Sequence, residues 1–130
     1  MKEDVQRLMA RAYNALADAR LIYETGRYNS VPNRSYYAIF DAVNALLRLH
    51  DSYAKTHKGL KSQFNERYVR TDKMPHEANL WLEASFELRQ SGDYDFEYDV
   101  TESDAAKSIE YATNFLLQAE AFLRSEIGIE

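Results

Sequence analysis

The 130-residue sequence contains no cysteine, four glycines, two prolines and three histidines. Without cysteine the chain has no disulfide, no thiolate nucleophile and no cysteine-ligated zinc, as suits a reducing compartment. No apolar run approaches the roughly 18 residues that cross a bilayer, and the first residues lack the apolar core of a signal peptide. We therefore expect a soluble, cytoplasmic protein that forms one domain over residues 1–130 and has no contact with a membrane.

The scarcity of glycine and proline, together with an apolar content of 45%, favours long helices. Apolar residues recur at three- and four-residue steps in five segments, which predicts an all-α fold. The second segment is apolar on more than one face, so we expect it to be the central helix. The predicted helices run from about residue 3 to Gly26, from Asn29 or Ser30 to His50, from His57 to Tyr68, from Pro75 to Ser91-Gly92, and onward from a capping box at Thr101 and Asp104.

Residues 93–100 alternate acidic with aromatic or apolar side chains, a pattern that taken alone is typical of a strand. A single strand would have no partner in a helical chain. The sequence instead predicts an extended connection whose aromatic residues, Tyr94, Phe96 and Tyr98, pack on the helices while its acids stay in water.

Charge is divided unevenly along the chain. Residues 1–65 carry 10 Lys+Arg and 6 Asp+Glu (net +4), whereas residues 66–130 carry 6 and 15 (net −9). No Lys or Arg occurs between Arg89 and Lys107. A phosphate backbone would be repelled by that segment unless the fold sets basic residues of the first half beside it, so bulk charge does not support general nucleic-acid binding.

Three pieces of sequence, taken in order, resemble the HEPN family and in particular its small stand-alone prokaryotic members. They are Asn33-Arg34-Ser35-Tyr36-Tyr37-Ala38-Ile39-Phe40-Asp41-Ala42, His57-Lys58-Gly59-Leu60 with Phe64 and Tyr68, and Arg89 followed by Asp93-Tyr94. The resemblance implies an antiparallel up-and-down bundle of four to five helices and a homodimer. It also implies a minimal nucleotidyltransferase as partner in a toxin–antitoxin or defence pair, with RNA or a nucleotide as a further contact.

Many members of that family resemble metal-independent ribonucleases, in which an arginine is followed by a histidine at a dimer groove. The arginine steadies the phosphate, and the histidine moves a proton at neutral pH. Arg89 matches the arginine, but Asp93 and Tyr94 stand where the histidine is expected. An ionised Asp accepts but does not donate, and Tyr is a poor base, so catalysis by Arg89, Asp93 and Tyr94 is one alternative and a structural Arg89–Asp93 pair is another.

Two further readings concern the same motif. Arg70 and His76 satisfy the arginine–histidine spacing literally. However, roughly 0.7 matches of this kind are expected by chance in a chain of this length and composition, so one match carries little information. Tyr94 stands where, by resemblance, the nucleotidyltransferase partner attaches AMP. A helical interaction domain without chemistry is the remaining alternative.

The candidate residues for nucleotide or partner binding are Arg34, Tyr37 and His57. Arg34 would present its guanidinium to a nucleotide or an acidic partner, although an intrachain pair with an acid of residues 93–99 is favoured. Tyr37 follows Tyr36 on a helix, where packing is the favoured role. His57 would bind a phosphate or serve as a cap or tyrosine partner. The histidines lack ligand spacing, so neither a metal site nor a cofactor is expected.

Overall fold

The computed structural model describes residues 1–128, which contain five α-helices and no β-strand. The all-α prediction is thereby confirmed. No helix in this part of the chain is long and apolar enough to cross a membrane. The helices are α1 (Lys2–Glu24), α2 (Val31–Leu47), α3 (His57–Phe64), α4 (Glu77–Tyr94) and α5 (Glu102–Ile127), with 3-10 turns at Tyr28–Ser30 and Arg48–His50 and a π-helical continuation of α3 at Asn65–Val69.

Long-range side-chain pairs show that α1 runs antiparallel to α2 and to α5. As residue numbers rise along α1, the numbers of its partners fall along both neighbours. The pairs are Asp4 with Arg48, directly after the end of α2, and Arg11 with Asp41 of α2. Between α1 and α5 they are Tyr13 with Glu120 and Arg20 with Thr113.

Helix α2 is the central element, as its apolar pattern predicts, and it packs against all four other helices. Its buried positions include polar groups that are satisfied inside the protein. Asn44 both donates to the Ala54 carbonyl at 3.0 Å and accepts from the Ala54 amide at 2.8 Å, which holds the loop after α2 in place. Ser35 accepts a hydrogen bond from Ser108 of α5 at 3.0 Å. These bonds fix where α3 and α5 sit against α2.

The predicted end of the fourth helix at Ser91-Gly92 is wrong, because α4 continues through Tyr94. Gly92 lies inside the helix, where a Cβ would be 2.5 Å from the carbonyl oxygen of Asn29. Glycine at this position therefore allows α4 to pack closely against the turn before α2. It does not mark the end of the helix.

The predicted packing of Tyr94, Phe96 and Tyr98 on the helices is also wrong. Tyr94 is 67% exposed, Phe96 94% and Tyr98 39%. Val100 is the residue of this segment that enters the core, and Asn29 accepts a hydrogen bond from its amide at 2.6 Å. Because Asn29 is used in this way, it does not cap α2, and Ser30 at the N-cap position makes no capping bond either. The capping box predicted at Thr101 and Asp104 is confirmed.

Candidate functional site

Arg89 lies on the face of α4 that is turned toward the core. Ala78, Leu82 and Ser85 are buried on this face, and Arg89 is the next position at helical spacing. The Arg89 side chain is 16% exposed in consequence. Removing a guanidinium from water costs free energy unless it gains new partners, so its surroundings must supply hydrogen-bond acceptors and aromatic faces.

The Arg89 guanidinium has both kinds of partner. Its Nε donates to Oδ2 of Asp93 at 3.0 Å and its Nη2 donates to the hydroxyl of Tyr94 at 3.2 Å. The guanidinium carbon also lies 5.7, 5.3 and 5.4 Å from the ring centroids of Tyr36, Tyr37 and Tyr94. These residues, together with Asn33, are called the Arg89 cluster below.

The structural pair predicted between Arg89 and Asp93 is confirmed, and a third residue supports it. Asn33, in the first turns of α2, donates from Nδ2 to Oδ2 of Asp93 at 2.9 Å. The Asp93 side chain is 22% exposed. Sequence reasoning placed Asn33 in the family-like string but assigned it no role; its position one residue before Arg34 was the available signal.

This geometry limits what Arg89 can do with a phosphate. A phosphate oxygen that approaches the Nε edge of the guanidinium must first displace the Asp93 carboxylate, which Asn33 also holds. The bond from Arg89 to the Tyr94 hydroxyl instead favours a chemical role for Tyr94. A cation beside a phenol stabilises the negative charge that grows on the oxygen when the oxygen acts as a nucleophile. The catalytic roles assigned to Arg89, Asp93 and Tyr94 stay predictions.

His57 is held inside the chain by both of its ring nitrogens. Nδ1 lies 2.8 Å from the Tyr36 hydroxyl and Nε2 lies 2.7 Å from a carboxylate oxygen of Glu83. The imidazole also stacks on Phe86 with a centroid distance of 3.6 Å. The structure therefore places His57 as a tyrosine partner, and a phosphate could bind it only by replacing one of these contacts.

Glu83 completes a polar chain from Tyr36 through His57 to Lys61, whose Nζ lies 3.1 Å from the carboxylate. Burial raises the pKa of Glu83, but hydrogen bonds from Lys61 and His57 outweigh burial and bring the pKa below its ordinary value. Burial is also the main reason that the pKa of Tyr36 is raised well above its ordinary value. Tyr36 is thus a neutral hydrogen-bonding partner of His57.

Arg34 does not form the ion pair predicted with an acid of residues 93–99. Its Nε donates to Oδ1 of Asn33 at 3.2 Å, and its guanidinium lies 5.5 Å from the Tyr37 ring. Asn33 reaches Asp93 in its place, because it lies one position earlier on the helix. Tyr37, which is half-buried, therefore has two guanidiniums near its ring, those of Arg34 and Arg89. The binding roles of Arg34, Tyr37 and His57 remain predictions.

The second arginine–histidine match lies away from this cluster. His76 bonds Asp72 at 2.9 Å in the exposed connection before α4, and no hydrogen bond in residues 1–128 joins it to Arg70. Within the same residues, no group of three or more potential His, Asp or Glu ligands lies together as a metal site would require.

The chain also has relatives among known proteins. The chain matches the HEPN domain over residues 5–121 and belongs to the HEPN family. It is 35% identical to a "UPF0332 protein" of Thermotoga maritima over 82% of this chain and 80% of that protein. It is also similar to two proteins of Methanocaldococcus jannaschii that are each named "putative toxin". One is 24% identical over 96% of this chain and 85% of its own length, and the other is 29% identical over 85% and 81%.

Proposed function

We propose that the chain is the toxin-type component of a cytoplasmic toxin–antitoxin or defence pair, that it acts as a homodimer, and that its partner is a minimal nucleotidyltransferase. Membership of the HEPN family and the similarity to two proteins named "putative toxin" support the toxin component. The partnership is inferred from the surface around Tyr94.

The observation that carries this proposal is the state of Tyr94. Its side chain is 67% exposed, while its hydroxyl accepts a hydrogen bond from Arg89. A tyrosine that is open to solvent and has a cation at its oxygen suits transfer of a nucleotidyl group. In that reaction the Tyr94 oxygen attacks the α-phosphorus of ATP, the bond to the β-phosphate breaks, pyrophosphate leaves, and the phenol proton passes to a base of the partner.

The charge around Tyr94 favours the same partner. Asp95, Glu97 and Asp99 follow it in an exposed segment, and no Lys or Arg occurs between Arg89 and Lys107. A nucleotidyltransferase site holds Mg²⁺, and acids at the rim of a docking surface raise the rate of encounter with a cationic site. The partner can therefore be attracted to this segment before Tyr94 enters its active site.

The test is purification of the chain with the nucleotidyltransferase encoded beside its gene, followed by intact mass with and without ATP. We expect a mass increase of one AMP that maps to the peptide containing Tyr94 and that Tyr94→Phe abolishes. Tyr53→Phe is the matched control, because Tyr53 is another exposed tyrosine, at 45%, outside the Arg89 cluster. An unmodified wild-type chain, or modification that persists in Tyr94→Phe, would contradict the proposal.

A ribonuclease that uses Arg89 is the second candidate, and the Arg89–Tyr94 contact is the feature that favours it. The Asp93 carboxylate and the missing histidine argue against it. Growth arrest or RNA cleavage that Arg89→Ala leaves intact would exclude this candidate. If the chain causes neither effect and receives no nucleotide from its partner, only a helical interaction domain remains.

A further inference from the structure

Phe96 carries the most exposed large apolar side chain in residues 1–128. Its relative exposure is 94%, against 67% for Tyr94 and 63% for Leu21, the next two. Buried phenyl rings contribute strongly to the stability of folded proteins, and this ring contributes almost nothing of that kind to its own chain. Single exposed apolar residues are common on protein surfaces, so exposure alone does not define a site. What distinguishes Phe96 is the backbone that carries it, the charges around it and its distance from Tyr94.

Phe96 stands on an ordered tight turn. The Asp95 carbonyl accepts a hydrogen bond from the Tyr98 amide at 3.2 Å, which closes a four-residue turn with Phe96 at its second position. Oδ1 of Asp95 also accepts from the Glu97 amide at 3.1 Å. The Tyr98 hydroxyl donates to Asp104 in the first turn of α5. The backbone on either side of Phe96 is therefore held by hydrogen bonds, and the ring projects from it into solvent.

Phe96 also lies between exposed carboxylates. Asp95 and Glu97 adjoin it, Asp99 follows, and all three side chains are exposed. Within residues 1–128, none of the three has a Lys, Arg or His nitrogen within 4.0 Å. An aromatic side chain inside a rim of charged groups is the arrangement of a protein interface, in which the aromatic residue supplies affinity and the rim supplies orientation. Residues 95–99 are called the Phe96 turn below.

The charge of the Phe96 turn selects the kind of protein that covers it. In a symmetric contact between two copies of the chain through this turn, the acids of one copy would face the same acids of the other. Like charges brought together across an interface weaken association. A partner that carries Lys or Arg around an apolar pocket fits the turn, whereas a second copy of the chain does not.

The Phe96 turn begins directly beside Tyr94. Because Tyr94 lies two residues before Phe96, the Cα atoms of the two residues are no more than about 7 Å apart. A protein that takes the Tyr94 hydroxyl into its active site must therefore cover Phe96 as well. Binding energy gained away from the reacting oxygen can be used to hold that oxygen in place for attack.

We propose that Phe96 docks the chain onto its nucleotidyltransferase, with the ring in an apolar pocket beside the partner's active site and with Asp95 and Glu97 against basic residues at the rim of that pocket. The inference rests on the proposed function and adds to it the residue and the surface through which the partner recognises its substrate. Phe96 is a positioning residue, because its ring takes no part in making or breaking bonds. It holds Tyr94 where the hydroxyl can attack the α-phosphorus of ATP.

The experiment uses the full chain and the nucleotidyltransferase encoded beside its gene. It measures the Kd of the complex without ATP, and the KM and kcat of AMP transfer at varied concentrations of the chain. The test variant is Phe96→Ser. The matched control is Leu80→Ser, because Leu80 is 62% exposed on α4 and lies 14 residues before Tyr94, roughly 21 Å along the helix. Phe96→Leu, which keeps an apolar side chain, is the rescue variant, and circular dichroism checks the fold of all three.

We expect Phe96→Ser to raise both Kd and KM about tenfold or more, the effect of truncating a central aromatic residue of an interface. The kcat should change by less than about twofold, since the lost contact is the same before and during transfer. Leu80→Ser should leave all three constants unchanged, and Phe96→Leu should recover most of the affinity. Asp95→Asn with Glu97→Gln should slow association and reduce its salt dependence, while dissociation stays nearly the same.

Equal Kd and KM for Phe96→Ser and Leu80→Ser would overturn the docking role while leaving AMP transfer to Tyr94 intact. A complex that depends on Phe96 but gives no mass increase would support the docking role and contradict the transfer, so the two proposals fail separately. A Phe96→Ser variant that loses self-association in analytical ultracentrifugation but keeps its affinity for the partner would assign the turn to a second copy and overturn the proposal.

Discussion

Gly92 and Asn29 approach each other so closely that a methyl group on Gly92 would lie 2.5 Å from the Asn29 carbonyl oxygen. The contact joins two backbones, so neither side can yield as the end of a flexible side chain would. It fixes the last turn of α4, and with it Asp93 and Tyr94, against the turn that leads into α2.

Gly92→Ala should therefore destabilise the protein, although the same change inside an exposed helix usually stabilises by about 1 kcal/mol. We expect the free energy of unfolding to fall by about 1–3 kcal/mol, the range for overpacked sites. The measurement is urea unfolding followed by circular dichroism. Gly59→Ala is the control, because the only close neighbour of its added methyl group is the Thr56 side chain, at 3.2 Å. Because Gly59 lies inside α3, Gly59→Ala should be neutral or stabilise by up to about 1 kcal/mol. A Gly92→Ala variant as stable as the wild type would contradict the expectation.

The Arg89–Asp93 pair should show measurable coupling in a double-mutant cycle. The changes are Arg89→Gln, Asp93→Asn and both together, with unfolding in urea as the readout. The two residues are one helical turn apart and their side chains are mostly buried. We therefore expect a coupling energy of about 0.5–1 kcal/mol, toward the upper end of the range for surface ion pairs. Arg124 with Glu120, an i,i+4 pair whose arginine is 58% exposed, provides the comparison and should couple less. A cycle in which the two changes add independently would show that Asp93 does not hold Arg89.

Glu83 should make stability depend on acid pH. Its pKa is lower in the folded protein than its ordinary value of 4.5, so the stability it adds is present above that value and is lost as pH falls through the folded pKa. The difference in unfolding free energy between the wild type and Glu83→Gln should therefore shrink between pH 6 and pH 3. Glu87→Gln, a change at an exposed position on the same helix, is the control. A difference that grows on acidification would contradict this reasoning.

Tyr36 and Tyr68 should resist ionisation until the protein unfolds. Burial is the main cause that raises the pKa of each phenol above the ordinary value of 10.0, and the Tyr68 hydroxyl donates to the Leu46 carbonyl at 2.5 Å. A raised pKa means that the unfolded chain loses its proton first, so stability should fall as pH rises above 10. Spectrophotometric titration in the ultraviolet, alongside circular dichroism, measures both events.

The controls for the tyrosine titration are single changes to phenylalanine. Tyr68→Phe and Tyr36→Phe should each remove one late-ionising phenol. If all ten tyrosines ionised together before any loss of helical signal, the buried environment assigned to Tyr36 and Tyr68 would be wrong.

Sequence periodicity predicted the five helices because each buries one apolar stripe, and it predicted α2 as the centre because its apolar residues cover more than one face. It failed at the end of α4, where a glycine normally signals a stop. The reason for Gly92 is a contact with Asn29, 63 positions earlier in the chain, which no local pattern contains. Tyr94 lies on α4 and Phe96 is exposed to solvent, contrary to the alternation read from residues 93–100.

The candidate site was predictable only in part for a similar reason. The spacing of Arg89 and Asp93 by four residues indicates their pair directly. The partners of His57 cannot be read in this way, since Tyr36 and Glu83 come from two other helices. Arg34 was assigned an acid that its neighbour Asn33 binds instead, and a shift of one residue on a helix, about 100°, is beyond what composition and charge can resolve.

Asn29 also anchors the far end of the acidic segment, through the Val100 amide at 2.6 Å and the Asp99 carboxylate at 3.4 Å. One residue thus restrains the chain on both sides of Phe96. A segment tethered in this way has already lost much of the conformational entropy that a free loop would lose on association. A macromolecule that recognises Tyr94 and Phe96 would therefore meet a nearly preorganised epitope, and loosening Asn29 should weaken that recognition.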